Sequence, residues 1–449
     1  MYWHHMKNKN HTIDRKKNIE SNSVVSRRLA ALCVKEVMEK NLPLQQVISS
    51  QKDYVTLESR DRAFVRLIVA TTFRRMGQIN SVLKPFLRQT PPKLIYAALQ
   101  TATAQIIYLG TPPHAAVGET VAMLKGRNSS KGFANLTNAV LRKVVDSGKK
   151  LAAQEPPKIN IPPWLLGEWE SDYGRQACRK FSTQLTQEPP LDVTVKSTEG
   201  MWAHKLGGKA IARNSVRLKK IGDITELEGF SEGEWWAQDI AASIPVRLLE
   251  PLTGKRVLDM CAAPGGKTMQ LISLGAEVTA LDRSISRLER VKENLKRTNL
   301  SASVICRDAL EWVPSGDLYD SVLLDAPCTA TGTFRRHPDV LYNRKPKDLS
   351  NLIKIQDQLL SKSASFVKPG GTLIYSTCSL LLAEGKPRID KFLKRNSHFS
   401  LEVITNIDGL DLPPSAFEGG FVRTLPHYLS EEGGMDGFFI AKMKRSSSC

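Results

Sequence analysis

From Arg256 to Thr377, short apolar runs alternate with amphipathic stretches: RVLDMC, KTMQLISL, EVTALD, SRLERVKENLKRTNL, SVICRD, SVLLDA, a long helical pattern from Lys347 to Val367, and GTLIYST. No other feature constrains the chain as strongly. Apolar strands joined through helical crossovers pack as a parallel, doubly wound sheet. Ligands of such sheets bind at the carboxyl ends of the strands. Near the end, GGFVRTLPH and DGFFIAKMKR predict a closing hairpin.

The first third has a different rhythm. Apolar residues recur at helical spacing in SRRLAALCVKEVMEK, RAFVRLIVATTFRRM and LIYAALQTATAQIIYLG, with breakers at Pro91-Pro92 and Pro112-Pro113. This predicts an all-helical bundle over residues 24–150. GKKLAAQEPPKINIPP reads as a linker, and the alternating pieces LDVTVKS and ITELEGF predict a small α/β module; together they fill 151–235. The doubly wound unit then occupies 236–445. Residues 1–23 read as a disordered basic tail and 446–449 as a second tail. The fold class is multidomain: an all-α bundle, a small α/β module and an α/β Rossmann-like unit.

Lys and Arg outnumber Asp and Glu by 64 to 45, a formal net charge of +19. Such an excess favours a polyanion, since basic side chains displace counterions from phosphates, but charge alone does not separate RNA from DNA. The seven cysteines are scattered, with no CxxC pair and no His cluster at zinc spacing. The expectation is reduced thiols, a cytoplasmic protein and no metal. No apolar stretch is long enough for a membrane span. A monomer is the default expectation.

RVLDMC leads into AAPGGKT and then a helical pattern, so Gly265 and Gly266 let a ligand approach the backbone at a helix start. A phosphate-binding loop needs glycine where Cys261 stands, and a dinucleotide fingerprint needs three spaced glycines that are absent. A nucleoside cofactor without a pyrophosphate fits better. Asp282, ending the next strand, suits the two hydroxyls of a ribose. Asp308 ends the third strand on the same edge, near the expected place of a base. Each acid alone could be a turn or cap residue; Asp259, Asp282 and Asp308 ending successive strands argue for a site.

The fourth strand leads into Asp325-Ala-Pro-Cys328 and the fifth into Ser376-Thr-Cys378. Both put a cysteine on the ligand edge, whereas Cys33 and Cys178 read as core residues, and Cys261 and Cys306 need no special role. A thiolate adding to carbon 6 of cytosine makes carbon 5 nucleophilic toward a methyl sulfonium, and a second group then helps to expel it. Asp325 could hold the base by its amino edge and protonated ring nitrogen. A zinc deaminase would need cysteine where Thr331 stands.

At these motifs the chain resembles the RNA 5-methylcytosine methyltransferases, in the branch acting on bacterial small-subunit (16S) rRNA. DMCAAPGGKT from Asp259 to Thr268, DAPCTATGTFRRHPD from Asp325 to Asp339, and YSTCS around Cys378 carry the resemblance. It implies S-adenosyl-L-methionine as cofactor, Cys378 as nucleophile and Cys328 as the residue that assists product release. It places the cofactor on Cys261, Ala262, Ala263, Pro264, Gly265, Gly266 and Lys267, with Asp282, Arg287, Asp308 and Asp325. DRAFVRLIVATTFRR, PPHAAVGETVAML and NLTNAVLRKV resemble a NusB-like RNA-binding domain. Arg335, Arg336 and His337 are expected to meet RNA phosphates or flanking nucleotides. After Cys378 the family pattern Pro-Glu-Glu-Asn gives way to LLLAEGKP, so no catalytic role is assigned from Leu380 to Lys386. A tRNA methyltransferase, a small-molecule methyltransferase and a non-enzymatic assembly factor with a vestigial fold remain the alternatives.

Overall fold

The computed structural model describes residues 21–219, 222–314 and 316–447. Most of the basic tail expected over 1–23, and residues 448–449 of the second tail, lie outside these. The first unit is helical: α1 (Asn22–Lys40), α2 (Leu44–Ser50), α3 (Lys52–Val55), α4 (Ser59–Arg74), α5 (Met76–Leu83), α6 (Lys93–Ile107), α7 (Pro113–Lys125) and α8 (Ala134–Gln154). Leu29, Val34 and Val37 of α1 pack with Val65, Ile68 and Val69 of α4 in one core, as their spacing predicts. Helix α8 runs through part of the segment whose charge and prolines suggest a linker. Leu141, Val144, Gly148 and Ala152 are all buried, so the apolar stripe outlasts the change in composition.

Helix α9 (Pro163–Leu185) bends at Gly174 (φ 79°). Next come β1 (Leu191–Val195), α10 (Glu199–Lys205), β2 (Lys209–Ala212), β3 (Ser215–Leu218) and β4 (Trp235–Ala237), forming an antiparallel sheet in the order β2-β3-β1-β4. Trp202 and Trp235 fill its core.

The last unit contains α11 (Ile240–Arg247), β5 (Arg256–Met260), α12 (Gly266–Ser273), β6 (Glu277–Asp282), α13 (Ile285–Arg297), β7 (Ser303–Cys306), β8 (Tyr319–Asp325), α14 (Pro346–Ala364), β9 (Val367–Thr377), α15 (Lys386–Arg395), β10 (Phe399–Leu401), β11 (Val422–Thr424) and β12 (Phe438–Arg445). Strands β9, β8, β5, β6 and β7 lie parallel in that order. The expected hairpin forms, with β11 antiparallel to β12, and β12 extends the sheet antiparallel to β9. The strand order reverses between β5 and β8, which opens a crevice at their carboxyl ends. Among the described residues no helix is long and apolar enough to cross a membrane.

The units meet on the segment after β8. Phe73 packs on Tyr342 with ring centroids 5.7 Å apart, the Leu44 amide donates to Asp339 at 2.9 Å, and the Arg74 guanidinium donates to the Arg335 carbonyl at 2.9 Å. The bundle thus holds the segment that continues from Cys328.

Candidate active site

A cleft of about 550 Å³ opens at the strand reversal. Its wall on the β5 side is the turn from Cys261 to Lys267. Cys261 has φ 63° and Gly265 φ 98°, so the chain turns sharply into α12. Cys261, Ala262, Ala263, Pro264, Gly266 and Lys267 line the cleft, whereas Gly265 does not. A side chain on Gly265 would meet Val291 at 3.2 Å, so this glycine shapes the turn and lets α13 pack against it.

The three acids ending or nearing the ends of successive strands separate in role. Asp282 is buried, and its carboxylate accepts from the amides of Ala263 at 3.3 Å and Ser284 at 2.9 Å. Arg287 lies 3.6 Å from Asp282 and also donates to the Ala263 carbonyl. Asp308 follows β7, caps its own turn through the Leu310 amide at 2.9 Å, and also lines the cleft. Asp259 lies within β5 and is fully buried. One of its oxygens accepts from Thr268 at 2.6 Å; the other has no partner among the described residues, and Asp259 also lines the cleft.

Burial pushes the Asp259 carboxyl up to about 7; Thr268 and Lys267 pull it down, while Asp325 and Asp282 push it further up. A carboxyl whose pKa rises on folding stabilises the fold below its unfolded value of about 3.9, and this contribution fades as pH climbs toward 7. Asp259→Asn keeps an acceptor for Thr268 and removes the titration. Its melting temperature is expected to fall less than that of the wild type between pH 5 and 8; equal slopes would contradict the assignment. Asp436, raised to about 6 by burial, titrates in both proteins and cancels in the comparison.

At the carboxyl ends of β8 and β9 stand the two cysteines, with their sulfurs 3.5 Å apart. Cys328 is buried and Cys378 half-buried. Their loops are joined side by side: the Gly332 amide donates to the Cys378 carbonyl at 2.9 Å, and the Leu380 amide to the Thr331 hydroxyl at 3.0 Å. A side chain on Gly332 would lie 1.9 Å from the Gly437 carbonyl oxygen, which is why glycine stands there. The hydrogen bond to Cys378, then burial, then the charge at Cys378 hold the Cys328 thiol well above its ordinary pKa. Burial beside Asp282 and Asp325 pushes the Cys261 thiol up to about 12, so it is no rival nucleophile.

Lys267 donates to Asp325 at 2.7 Å, and Ser376 donates to the other Asp325 oxygen at 3.0 Å. Burial would depress the Lys267 ammonium; Asp325, Cys378 and Asp259 outweigh it and hold it above its usual value. Lys267 also lies over the Phe438 ring, 5.3 Å from its centroid.

In the basic run beyond Cys328, Arg335 departs from its expected role. Arg335 is only 1% exposed and lies 3.4 Å from Asp239 and 3.6 Å from Asp436. Arg336 donates to Asp436 at 2.9 Å, though it still lines the cleft. Arg335 is therefore enclosed in an ion cluster and does not reach a phosphate; His337 alone of the three is exposed. Sequence reasoning also passed over Gln238, which lines the cleft, and Glu384, which lies behind the cysteines.

Fold and cleft together define an S-adenosylmethionine-dependent methyltransferase of the doubly wound class. The 16S rRNA methyltransferase RsmB/F model matches residues 246–444, and the NusB family model matches residues 25–146. Ribosomal RNA small subunit methyltransferase B of Klebsiella pneumoniae is 32% identical, covering 95% of this chain and 99% of the relative. The protein of the same name from Pasteurella multocida is 31% identical, over 96% and 98%. The crystal structure of PH0851 superposes on 94% of this chain and 99% of its own with a TM-score of 0.76, at 22% identity, and shows the fold alone. The chain belongs to the 16S rRNA methyltransferase RsmB/F family.

Proposed function

We propose that this protein methylates carbon 5 of one cytosine in 16S rRNA, with Cys378 as nucleophile. The observation that carries the division of labour is the pair of sulfurs 3.5 Å apart, with Cys328 held as a thiol. The cleft's size suits a nucleoside ligand, and its donors and acceptors suit S-adenosylmethionine: Asp282 for ribose hydroxyls, Asp308 and Leu310 beside the base, and the Cys261–Lys267 turn along the amino-acid part. That cofactor supplies an electrophilic methyl group on a sulfonium.

The chain's residues do the rest. Asp325, fixed by Lys267 and Ser376, holds the cytosine amino edge and ring nitrogen, and as the Cys378 sulfur bonds to carbon 6 the Cys378 thiol proton ends on that nitrogen. Carbon 5 then accepts the methyl group. Once Cys378 is bound to carbon it no longer shares the Cys328 proton, and that proton passes to water. The Cys328 thiolate takes the proton from carbon 5, the carbon 5–carbon 6 double bond re-forms, the electron pair of the broken carbon–sulfur bond returns to Cys378, and the ring-nitrogen proton passes back to the Cys378 sulfur.

This reading carries with it a monomeric cytoplasmic enzyme, where both thiols stay reduced. Incubation with methyl-labelled S-adenosylmethionine and an unmethylated 16S transcript, followed by nucleoside analysis, is expected to yield labelled 5-methylcytidine. Label on tRNA and none on the 16S transcript would move the substrate; label on neither would return the chain to an assembly role.

A further inference from the structure

Glu384 lies in LLLAEGKP, the run that follows Ser379. Its side chain is completely buried, and among the described residues it has no ion-pair partner. Hydrogen-bond donors enclose it instead. The Thr329 amide donates to one carboxylate oxygen at 3.0 Å and Gln356 to the same oxygen at 2.8 Å, while the Thr329 and Ser379 hydroxyls donate to the other. Four donors match the roughly four lone-pair sites of an ionised carboxylate, which can only accept. The main chain of Glu384 is also fixed, since the Tyr375 hydroxyl donates to its carbonyl at 3.0 Å.

Thr329 follows Cys328, and Ser379 follows Cys378. Gln356 also donates to the Pro327 carbonyl at 3.0 Å, the residue before Cys328. One carboxylate therefore binds both cysteine loops at the residue next to the sulfur. We propose that Glu384 is a positioning residue for the methylation reaction: by binding Thr329 and Ser379 together it sets the separation of the Cys328 and Cys378 sulfurs, and so the step that resolves the covalent adduct. The inference rests on the cysteine roles proposed above. Its negative charge also helps to keep the Cys328 proton in place before the adduct forms.

Glu384→Gln is isosteric but removes the charge and puts an amide N–H against the Thr329 and Ser379 hydroxyls, which must turn from donating to accepting while Ser379 already accepts from the Leu381 amide, so the bonds that join the two cysteine loops weaken. Displacement of a reacting group by about 1 Å costs up to about 100-fold, so turnover is expected to fall roughly 10- to 100-fold. KM for S-adenosylmethionine should stay unchanged, because the groups that donate to Glu384 lie on the cysteine loops, β9 and α14 and not on the Cys261–Lys267 turn. A protein–RNA adduct that survives denaturation should accumulate, as in Cys328→Ala run in parallel. A merely structural residue would instead lower adduct and product alike.

Thr329→Val, which removes one hydroxyl and keeps the amide, serves if Glu384→Gln does not fold; adduct above the wild-type level is again expected. Wild-type turnover in Glu384→Gln, or loss of product without added adduct in a folded variant, overturns the inference. If Cys328→Ala accumulates adduct and neither Glu384→Gln nor Thr329→Val does, the inference alone fails. If Cys328→Ala accumulates none, the cysteine assignment fails and the inference with it.

Discussion

Cys378→Ala is expected to lower methyl transfer to 16S rRNA by more than about 1,000-fold, because no other group in the cleft can make the bond to carbon 6. The nearest sulfur, Cys328, is 3.5 Å away and buried, with its proton tightly held. Cys261, with its thiol pushed up to about 12, cannot substitute. Binding of S-adenosylmethionine should persist, since Asp282 and the glycine turn are untouched, so equilibrium dialysis beside the transfer assay separates lost chemistry from lost fold. Cys328→Ala should form the methylated adduct and fail to release it, visible as RNA-linked protein on a denaturing gel. If instead Cys378→Ala still forms the adduct, the two cysteines exchange roles and Asp325 must serve a nucleophile on its own loop.

The second large effect is on stability. Arg335→Leu removes one cation from a buried cluster in which Arg335 and Arg336 face Asp239 and Asp436. Breaking a buried pair leaves uncompensated charge and costs about 3–5 kcal/mol. The cluster joins the end of the small antiparallel sheet, the Cys328 segment and the approach to β12, so the unfolding midpoint in urea should drop clearly. The salt dependence of RNA binding by the folded variant should not change. A phosphate-contacting arginine would behave oppositely, reducing the slope of log affinity on log salt by about 1 with little loss of stability. That outcome would restore the role its position in a basic run suggests.

The chemistry-bearing residues of the doubly wound unit were legible in the sequence because each sits at the end of a strand whose apolar pattern is unambiguous. Strand ends on one edge of a parallel sheet must converge, so RVLDMC, EVTALD, SVLLDA and GTLIYST suffice to bring the glycine turn, Asp282, Asp325 and both cysteines to one cleft. Helical periodicity likewise marked the bundle, although composition ended α8 too early: charge and proline mark a boundary less reliably than the buried stripe from Leu141 to Ala152.

What sequence could not decide is which polar side chains face inward, since that depends on partners far along the chain. Arg335 looks like a free basic residue until Asp239 and Asp436, distant in sequence, close on it. Gly265 reads as a place for close ligand approach, and only the fold shows that Val291 of α13 also leaves no easy room for a side chain there. Glu384 looks like a lone acid beyond Cys378 until its bonds reach back to Thr329 and Gln356. Local pattern determined the sheet, its reactive edge and the class of chemistry, because strand period and turn residues are short-range properties. Burial and charge pairing were settled only by the tertiary fold, because the energy of a charged group is set by its neighbours in space.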